Sequence, residues 1–195
     1  MRKGVGLFLQ IIMIGLASCA QAPERELTEA TQVLEQARAV EADRYASETF
    51  QEAADTLARA QAEIETQAEK SILSRSYGEA ANLLESAKLA GSRAVYEAKS
   101  GKEQARQDAE AAIEDAQTAL KSSQASLAKA RPSNETRDDL ESMKADLEAL
   151  QTVLAEAEME LEAGNYIEAR DKAEMVLAEA MIIGQDVGNA FKKAT

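Results

Sequence analysis

The chain has 195 residues, a formal net charge of −13 and no histidine or tryptophan. Hydrophobic residues make up 45% of it and aromatic residues only 4%, and alanine is the most frequent apolar residue. Nucleic-acid binding depends on Lys and Arg that release counterions from phosphates, so we expect no nucleic-acid partner for so acidic a chain. Small alanine side chains bury little area, which predicts thin, elongated helix pairs instead of a large globular core.

Residues 1–18 are typical of a signal peptide. A basic start, Arg2-Lys3, precedes an apolar run from Val5 to Leu16. This run is shorter than the roughly 20 residues that a membrane-spanning helix needs, so we expect it to be cleaved off. Cleavage removes two basic residues and no acidic one, and takes the net charge from −13 to −15.

The end of this segment, Leu16-Ala17-Ser18-Cys19, resembles the lipobox of bacterial lipoproteins. The resemblance implies that the thiol of Cys19, the only cysteine, takes a diacylglyceryl group, that cleavage occurs before it, and that its new amino group is acylated. Several acyl chains on one residue make a firm membrane anchor. The alternative is an ordinary secretory signal cleaved after Ala20 or Ala22, which would leave a soluble protein.

The linker between the anchor and the helical body, residues 19–23, is short enough to keep the near end of the body against the membrane. Ala20 and Gln21, with no aspartate after the cysteine, resemble the sequences of outer-membrane lipoproteins and imply the inner leaflet of that membrane, facing the periplasm. An acidic body gains nothing from anionic headgroups, so the lipid alone is expected to hold the protein there.

Apolar residues recur at helical spacing in the first part of the body and predict a long helical hairpin over residues 24–130. Its first helix runs from Glu24 to about Lys70, and residues 71–76 form the turn, in which Ile72 and Leu73 are expected to pack as an apolar plug. The second helix covers residues 77–130, which is roughly 80 Å if Gly101 does not interrupt it.

A second helical hairpin is predicted over residues 134–195. Pro132 disfavours helix at the residue before it and separates the two hairpins. Gly164-Asn165 suits a left-handed helix end, and the last helix begins at Tyr166. The predicted fold is therefore all-α, with about four helices in elongated, antiparallel, coiled-coil-like hairpins after the signal peptide.

The two hairpins look related to each other. Tyr77-Gly78-Glu79-Ala80 and Tyr166-Ile167-Glu168-Ala169 both open the second helix of a pair, 89 residues apart, and Leu57 and Leu147 correspond at an offset of 90. The pattern is typical of repeat proteins, in which each unit buries a face against a neighbour. Composition bias shared by all alanine-rich helices is the alternative explanation.

The segments Ala42-Asp43-Arg44-Tyr45-Ala46 and Tyr77-Gly78-Glu79-Ala80, with Phe50 and Leu57 between them, resemble an uncharacterised family of alanine-rich helical envelope proteins. Many members are lipoproteins, and some carry an OmpA-like peptidoglycan-binding domain after the hairpin. No such domain is expected here, because residues 134–195 have only a helical pattern. The resemblance implies a fold and a compartment, and no settled activity.

The residues of enzyme active sites are scarce. The chain lacks histidine, the usual general base and metal ligand, and an acylated Cys19 cannot act as a nucleophile. Carboxylates such as Glu158 and Glu162 share a helix face at i and i+4, but charged faces are usually just solvated. We therefore expect no enzymatic activity, no cofactor and no metal site.

The four tyrosines, Tyr45, Tyr77, Tyr96 and Tyr166, are the candidate interface residues. They either line a concave peptide-binding surface or wedge between helices with the hydroxyl at the rim. The methionines of the second hairpin are either adaptable interface residues or gap fillers.

The leading functional hypothesis is a membrane-anchored helical scaffold or adaptor that binds another envelope protein. One alternative is an oligomeric coiled-coil tether, in which the alanine seam of residues 77–130 pairs between copies of the chain. The other is a hairpin-repeat module that binds peptides or basic ligands in an acidic groove.

Overall fold

The computed structural model describes residues 21–130 and 137–193. In these ranges the chain forms α-helices and one 3-10 helix and no strand, which confirms the all-α prediction. The elements are α1 (Glu24–Ala39), α2 (Ala42–Tyr45), α3 (Ser47–Ala68), the 3-10 helix Ile72–Ser74, α4 (Gly78–Lys129), α5 (Arg137–Ala163) and α6 (Tyr166–Lys193). The predicted signal peptide and the break at Pro132 lie outside the described residues.

The single helix expected over residues 24–70 is not confirmed, and the described part of the chain has six α-helices instead of about four. Glu41 adopts a left-handed backbone conformation, with φ of 59°, and turns the chain between α1 and α3. No glycine or proline marks this position in the sequence. The sequence contains one sign of this turn. Ala37 and Ala42, both fully buried, are five residues apart, whereas residues on the same face of one helix are three or four apart.

In contrast, α4 is one helix that continues through Gly101. A Cβ atom at Gly101 would lie 2.5 Å from the backbone oxygen of Tyr45. Glycine at this position therefore allows α4 to pass close to the end of α2.

The end of α5 and the start of α6 are where the sequence predicts them. Gly164 has a φ of +85°, and the N–H of Asn165 donates to the carbonyl of Glu160 at 2.9 Å. The side-chain amide of Asn165 also donates to the Glu160 carboxylate, at 2.8 Å. This left-handed cap satisfies the last carbonyls of α5 and reverses the chain within two residues.

The chain divides into two compact units, Met1–Gly101 and Lys102–Thr195. The boundary lies inside α4, whereas the sequence analysis placed the division near Pro132. The first unit contains α1 to α3 and the first part of α4, and the second contains the rest of α4 with α5 and α6.

The first unit is a three-helix bundle with a small-residue core. Its two core clusters combine residues from α1, α3 and α4 in an order that makes α1 and α4 parallel and α3 antiparallel to both. Seven of the ten buried residues in these clusters are alanine, so the helices approach closely. The clusters are Ala30, Leu57, Ala60, Leu84 and Ala87, and Ala37, Ala42, Phe50, Ala94 and Ala98.

The second unit has the same arrangement with larger core residues. The hydrogen bonds from Gln117 to Glu158 and from Ser123 to the carbonyl of Ala180 place α5 antiparallel and α6 parallel to α4. Alanine supplies five of the ten residues of its core cluster. The cluster is Ala112, Ile113, Ala116, Leu120, Leu147, Leu154, Ala157, Ala173, Val176 and Ala180.

The two units repeat each other at the offset seen in the sequence. Each of Ala80, Leu84 and Ala87 is buried, and so is the residue 89 positions later. Val33 and Gly91, which approach each other in the first unit, correspond at offsets of 90 and 89 to Ser123 and Ala180. In the second unit the Ser123 hydroxyl donates to the backbone carbonyl of Ala180 at 2.6 Å. Matched contacts at matched offsets favour a structural repeat over shared composition alone.

Candidate interaction surface

A groove of about 540 Å³ runs between α5 and α6 in the second unit. Its apolar floor and rim are formed by Met143 and Leu150 of α5 and by Ile182 and Ile183 of α6. Leu150 and Ile183 pack partly against the core, whereas Ile182 is 51% exposed. The second unit thus presents apolar surface that its own core does not cover.

Four carboxylates border this surface, and none of the described residues that line it is basic. They are Asp139, Asp146, Glu179 and Asp186. In the described part of the chain none of them forms an ion pair, although other acidic residues of the same helices do. We call the combined surface the acidic groove.

The helical repeat brings these residues to one side of each helix. On α5, Asp139, Met143, Asp146 and Leu150 follow each other at steps of four, three and four residues. On α6, Glu179 and Asp186 lie seven residues apart with the two isoleucines between them. Both spacings keep the side chains on one helix face.

The α5–α6 hairpin that carries the groove is held by its core and by polar contacts of Lys172. Leu147 and Val176 are almost completely buried between the helices. Lys172 of α6 donates to the Glu156 carboxylate of α5 at 2.8 Å, and this hydrogen bond raises the pKa of Lys172 above its usual value. The lysine side chain is 32% exposed, so solvent screens the pair and the apolar core provides most of the rigidity.

A smaller cleft of about 210 Å³ lies between α4 and α5 in the same unit. The hydrogen bond between Gln117 and Glu158, 2.8 Å long, spans it and uses polar groups that could have met a ligand. This cleft is therefore a weaker candidate than the acidic groove.

The structure gives the four tyrosines different surroundings. Tyr77 is only 6% exposed and stands at the start of α4. Tyr96 is 76% exposed on α4, and Tyr45 is half-buried in the first unit beside the guanidinium of Arg44. Tyr166 is half-buried at the start of α6 in the second unit. The buried position of Tyr77 matches the wedge alternative.

The methionines of the second unit are mostly on its surface. Met159, Met175 and Met181 are between 47% and 67% exposed, and Met143 lines the acidic groove. They are therefore not gap fillers of the core. Flexible, polarisable methionines are suited to surfaces that adapt to a partner.

The sequence analysis did not identify the acidic groove as a site. The sequence signal for the groove is an apolar stripe that is wider than one packed helix face. On α5, apolar residues at 143 and 150 lie beside the buried residues at 147, 154 and 157, and α6 has two adjacent isoleucines. A stripe wider than one packed face leaves part of itself exposed.

The described residues contain neither a metal site nor a membrane-spanning helix. No group of three or more Cys, Asp or Glu residues in residues 21–130 and 137–193 is arranged to hold a metal ion, and no helix there is long and apolar enough to cross a membrane. Cys19 and the lipobox residues Leu16, Ala17 and Ser18 lie outside these ranges. Comparison with family models, curated proteins and solved structures gives no significant match.

Proposed function

We propose that this protein is a non-enzymatic, lipid-anchored adaptor of the bacterial envelope, in which the acidic groove binds a basic, amphipathic segment of another envelope protein. The observation that carries the proposal is the groove itself, because the exposed Ile182 and the half-buried Met143 lie beside four carboxylates that have no ion-pair partner among the described residues. The anchor rests on the lipobox resemblance at Cys19.

The chemistry of the groove defines the partner. Its apolar floor favours leucine-like side chains at helical spacing, as in other helix-in-groove complexes. The carboxylates of Asp146 and Asp186 favour lysine or arginine at the edges of the bound segment, and they repel acidic segments. The groove thus favours an occupant with an apolar stripe and basic flanks.

Photo-crosslinking in intact cells tests the groove. A photoreactive phenylalanine analogue replaces Ile182, and the matched control carries it at Leu89, which is 64% exposed on α4 in the first unit. We expect one dominant adduct with a foreign envelope protein from position 182 and none from position 89. Charge reversal by Asp146→Lys with Asp186→Lys should remove that adduct.

Two results would contradict the adaptor. Adducts only between copies of the chain would instead favour the oligomeric tether. Equal adducts from positions 182 and 89, unaffected by the charge reversal, would show that the groove has no special role.

The anchor is tested separately. Cys19→Ala should abolish acylation and leave the precursor uncleaved at this site, as measured by the intact mass of protein from the membrane fraction. A variant that is processed and fractionates normally would contradict the lipobox interpretation.

A further inference from the structure

The loop between α3 and α4 exposes two large apolar side chains. Ile72 is 69% exposed and Leu73 is 100% exposed, so they do not form the apolar plug that the sequence predicted. We call residues 70–75 the apolar loop. Soluble proteins bury or disperse such side chains, and an adjacent exposed pair at a loop crest indicates a surface that something covers.

The loop is built to hold this pair outward. The Arg75 guanidinium donates to the carbonyls of Lys70 and Ala68, at 2.8 and 2.7 Å, and so caps the end of α3. The side chain of Gln67, itself buried, accepts from the N–H of Ser76 at 3.0 Å. Ser71 and Ser74 are joined by their hydroxyl groups across the crest. The exposure of Leu73 is therefore part of an ordered, hydrogen-bonded turn.

The apolar loop lies at the same end of the first unit as the start of the chain's helical body. Residues 21–26 line one cleft together with Tyr77, Gly78 and Ala81, the residues that follow the loop. Cys19 precedes Gln21 by two residues, and two residues span at most about 7 Å. The proposed lipid anchor is therefore attached at the loop's end of the unit.

The charge of the loop suits a bilayer. In a chain of net charge −13, Lys70 and Arg75 flank the apolar pair, and no acidic residue lies between Lys70 and Tyr77. Basic residues next to apolar ones match an interface of anionic headgroups above hydrocarbon.

We infer that the apolar loop inserts Ile72 and Leu73 into the bilayer beside the lipid anchor and gives the first unit a second membrane contact. This inference rests on the proposed anchoring at Cys19. It replaces the expectation that the lipid alone holds the protein to the membrane. Two contacts at one end, unlike a single flexible tether, also restrict how the first unit can rotate on the surface.

The test uses fluorescence, because the chain has no tryptophan. Leu73→Trp introduces one fluorophore at the crest, and Tyr96→Trp introduces one at an exposed control site on α4. Each full-length, acylated variant is placed in vesicles of phosphatidylethanolamine and phosphatidylglycerol that contain no other protein. The readouts are the emission maximum and quenching by lipids brominated on their acyl chains.

We expect the Leu73→Trp variant to show blue-shifted emission that brominated lipids quench, and the Tyr96→Trp variant to show neither effect. Unshifted, unquenched emission from Leu73→Trp in vesicle-bound, acylated protein would overturn loop insertion and leave the anchor intact. A blue shift without quenching would identify a second copy as the occupant and would also overturn it.

Intact mass and vesicle flotation separate this failure from failure of the anchor. If Cys19 carries no lipid mass and the protein does not float with vesicles, the anchoring proposal is wrong, and loop insertion falls with it.

Discussion

The two units have the same three-helix arrangement but fill their cores with side chains of different size. The first unit packs mainly alanine, and its helices are cross-linked by surface pairs such as Lys88 with Glu29 and Arg93 with Glu52. The second unit places Val176 and Val187 where the first has Ala87 and Ala98. Close approach and larger side chains are thus two ways to fill the space between the same helices.

The difference also separates the proposed roles. The first unit carries the apolar loop and the start of the helical body, to which the proposed lipid anchor is attached. The second unit carries the acidic groove. Larger core residues stabilise the α5–α6 hairpin, and a rigid hairpin keeps an apolar groove open for a partner. A small-residue bundle needs only to hold the loop and the proposed anchor together.

The largest expected effect is in the core of the second unit. Leu147→Ala removes a side chain that is 1% exposed, and it should lower the free energy of unfolding by about 2–5 kcal/mol, because it removes buried area and leaves a cavity. Urea denaturation followed by circular dichroism measures the change.

The control for Leu147→Ala is Leu89→Ala, at a site that is 64% exposed on α4. It should change stability by no more than about 0.5 kcal/mol. Equal losses from the two variants would show that Leu147 does not lie in a packed core.

A smaller effect is expected where α1 and α4 approach each other closely in the first unit. A Cβ atom at Gly91 would lie 2.9 Å from Cγ1 of Val33, so Gly91→Ala should cost about 1–3 kcal/mol by overpacking. Val33→Ser with Gly91→Ala shortens the side chain that the new methyl group meets, and serine is the residue at the matching position 123 of the second unit. The double variant should recover part of the loss, with a coupling of about 0.5–3 kcal/mol in a double-mutant cycle.

The control for this cycle is Gly188→Ala. A Cβ atom at Gly188 meets nothing within 4 Å, so the change should stabilise α6 by about 0.5–1 kcal/mol. Additive effects of the Val33 and Gly91 changes would contradict the close contact between α1 and α4 at these two positions.

The smallest effect is expected from a surface pair. Hydrogen bonds from Lys88 and then Arg25 lower the pKa of Glu29 below its ordinary value of 4.5. A depressed carboxylate pKa adds stability that is present above the unfolded pKa and is lost as the pH falls through the folded pKa. Glu29→Gln should therefore reduce stability slightly at pH 7, and the difference should shrink as the pH falls below 4.5 and vanish only below the lowered, folded-state pKa of Glu29.

High salt should also reduce the effect of Glu29→Gln, because both side chains of the pair are partly exposed. The matched control is Glu114→Gln, at an exposed site on α4 where the described residues provide no ion-pair partner. A difference between the wild-type protein and Glu29→Gln that is independent of pH and salt would mean that Glu29 acts through packing.

Much of the second unit could be predicted from the sequence, because its signals are local. Gly164 and Tyr166 mark the turn and the helix start directly, and the repeat at 89 residues was visible at Tyr77. The turn at Glu41 could not be predicted in the same way. A non-glycine residue in a left-handed conformation is stabilised by tertiary packing of Ala37 and Ala42, which leaves only a change of spacing in the sequence.

The pattern of apolar residues within a single helix could not predict the acidic groove or the apolar loop either. Which face of α5 remains uncovered depends on how α4 and α6 pack against it, and the pattern alone does not distinguish Leu150 at the groove from Leu154 in the core. Leu73 was expected to be buried because it is apolar, but the hydrogen bonds of Arg75 and Gln67 hold its loop outward.

Thiol labelling tests whether the first unit inserts its loop beside a lipid anchor while the groove of the second unit faces water. Cys19 is the only cysteine, so acylation leaves the wild-type chain without a free thiol. Leu73→Cys and Ile182→Cys then each introduce one. Full-length proteins in vesicles are treated with a membrane-impermeant maleimide, and labelling rates are compared.

We expect no labelling of the wild-type protein, slow labelling of Leu73→Cys and rapid labelling of Ile182→Cys. Labelling of Cys19 in the wild-type protein, or equal rates at positions 73 and 182, would contradict the acylation of Cys19 and the insertion of the loop, respectively.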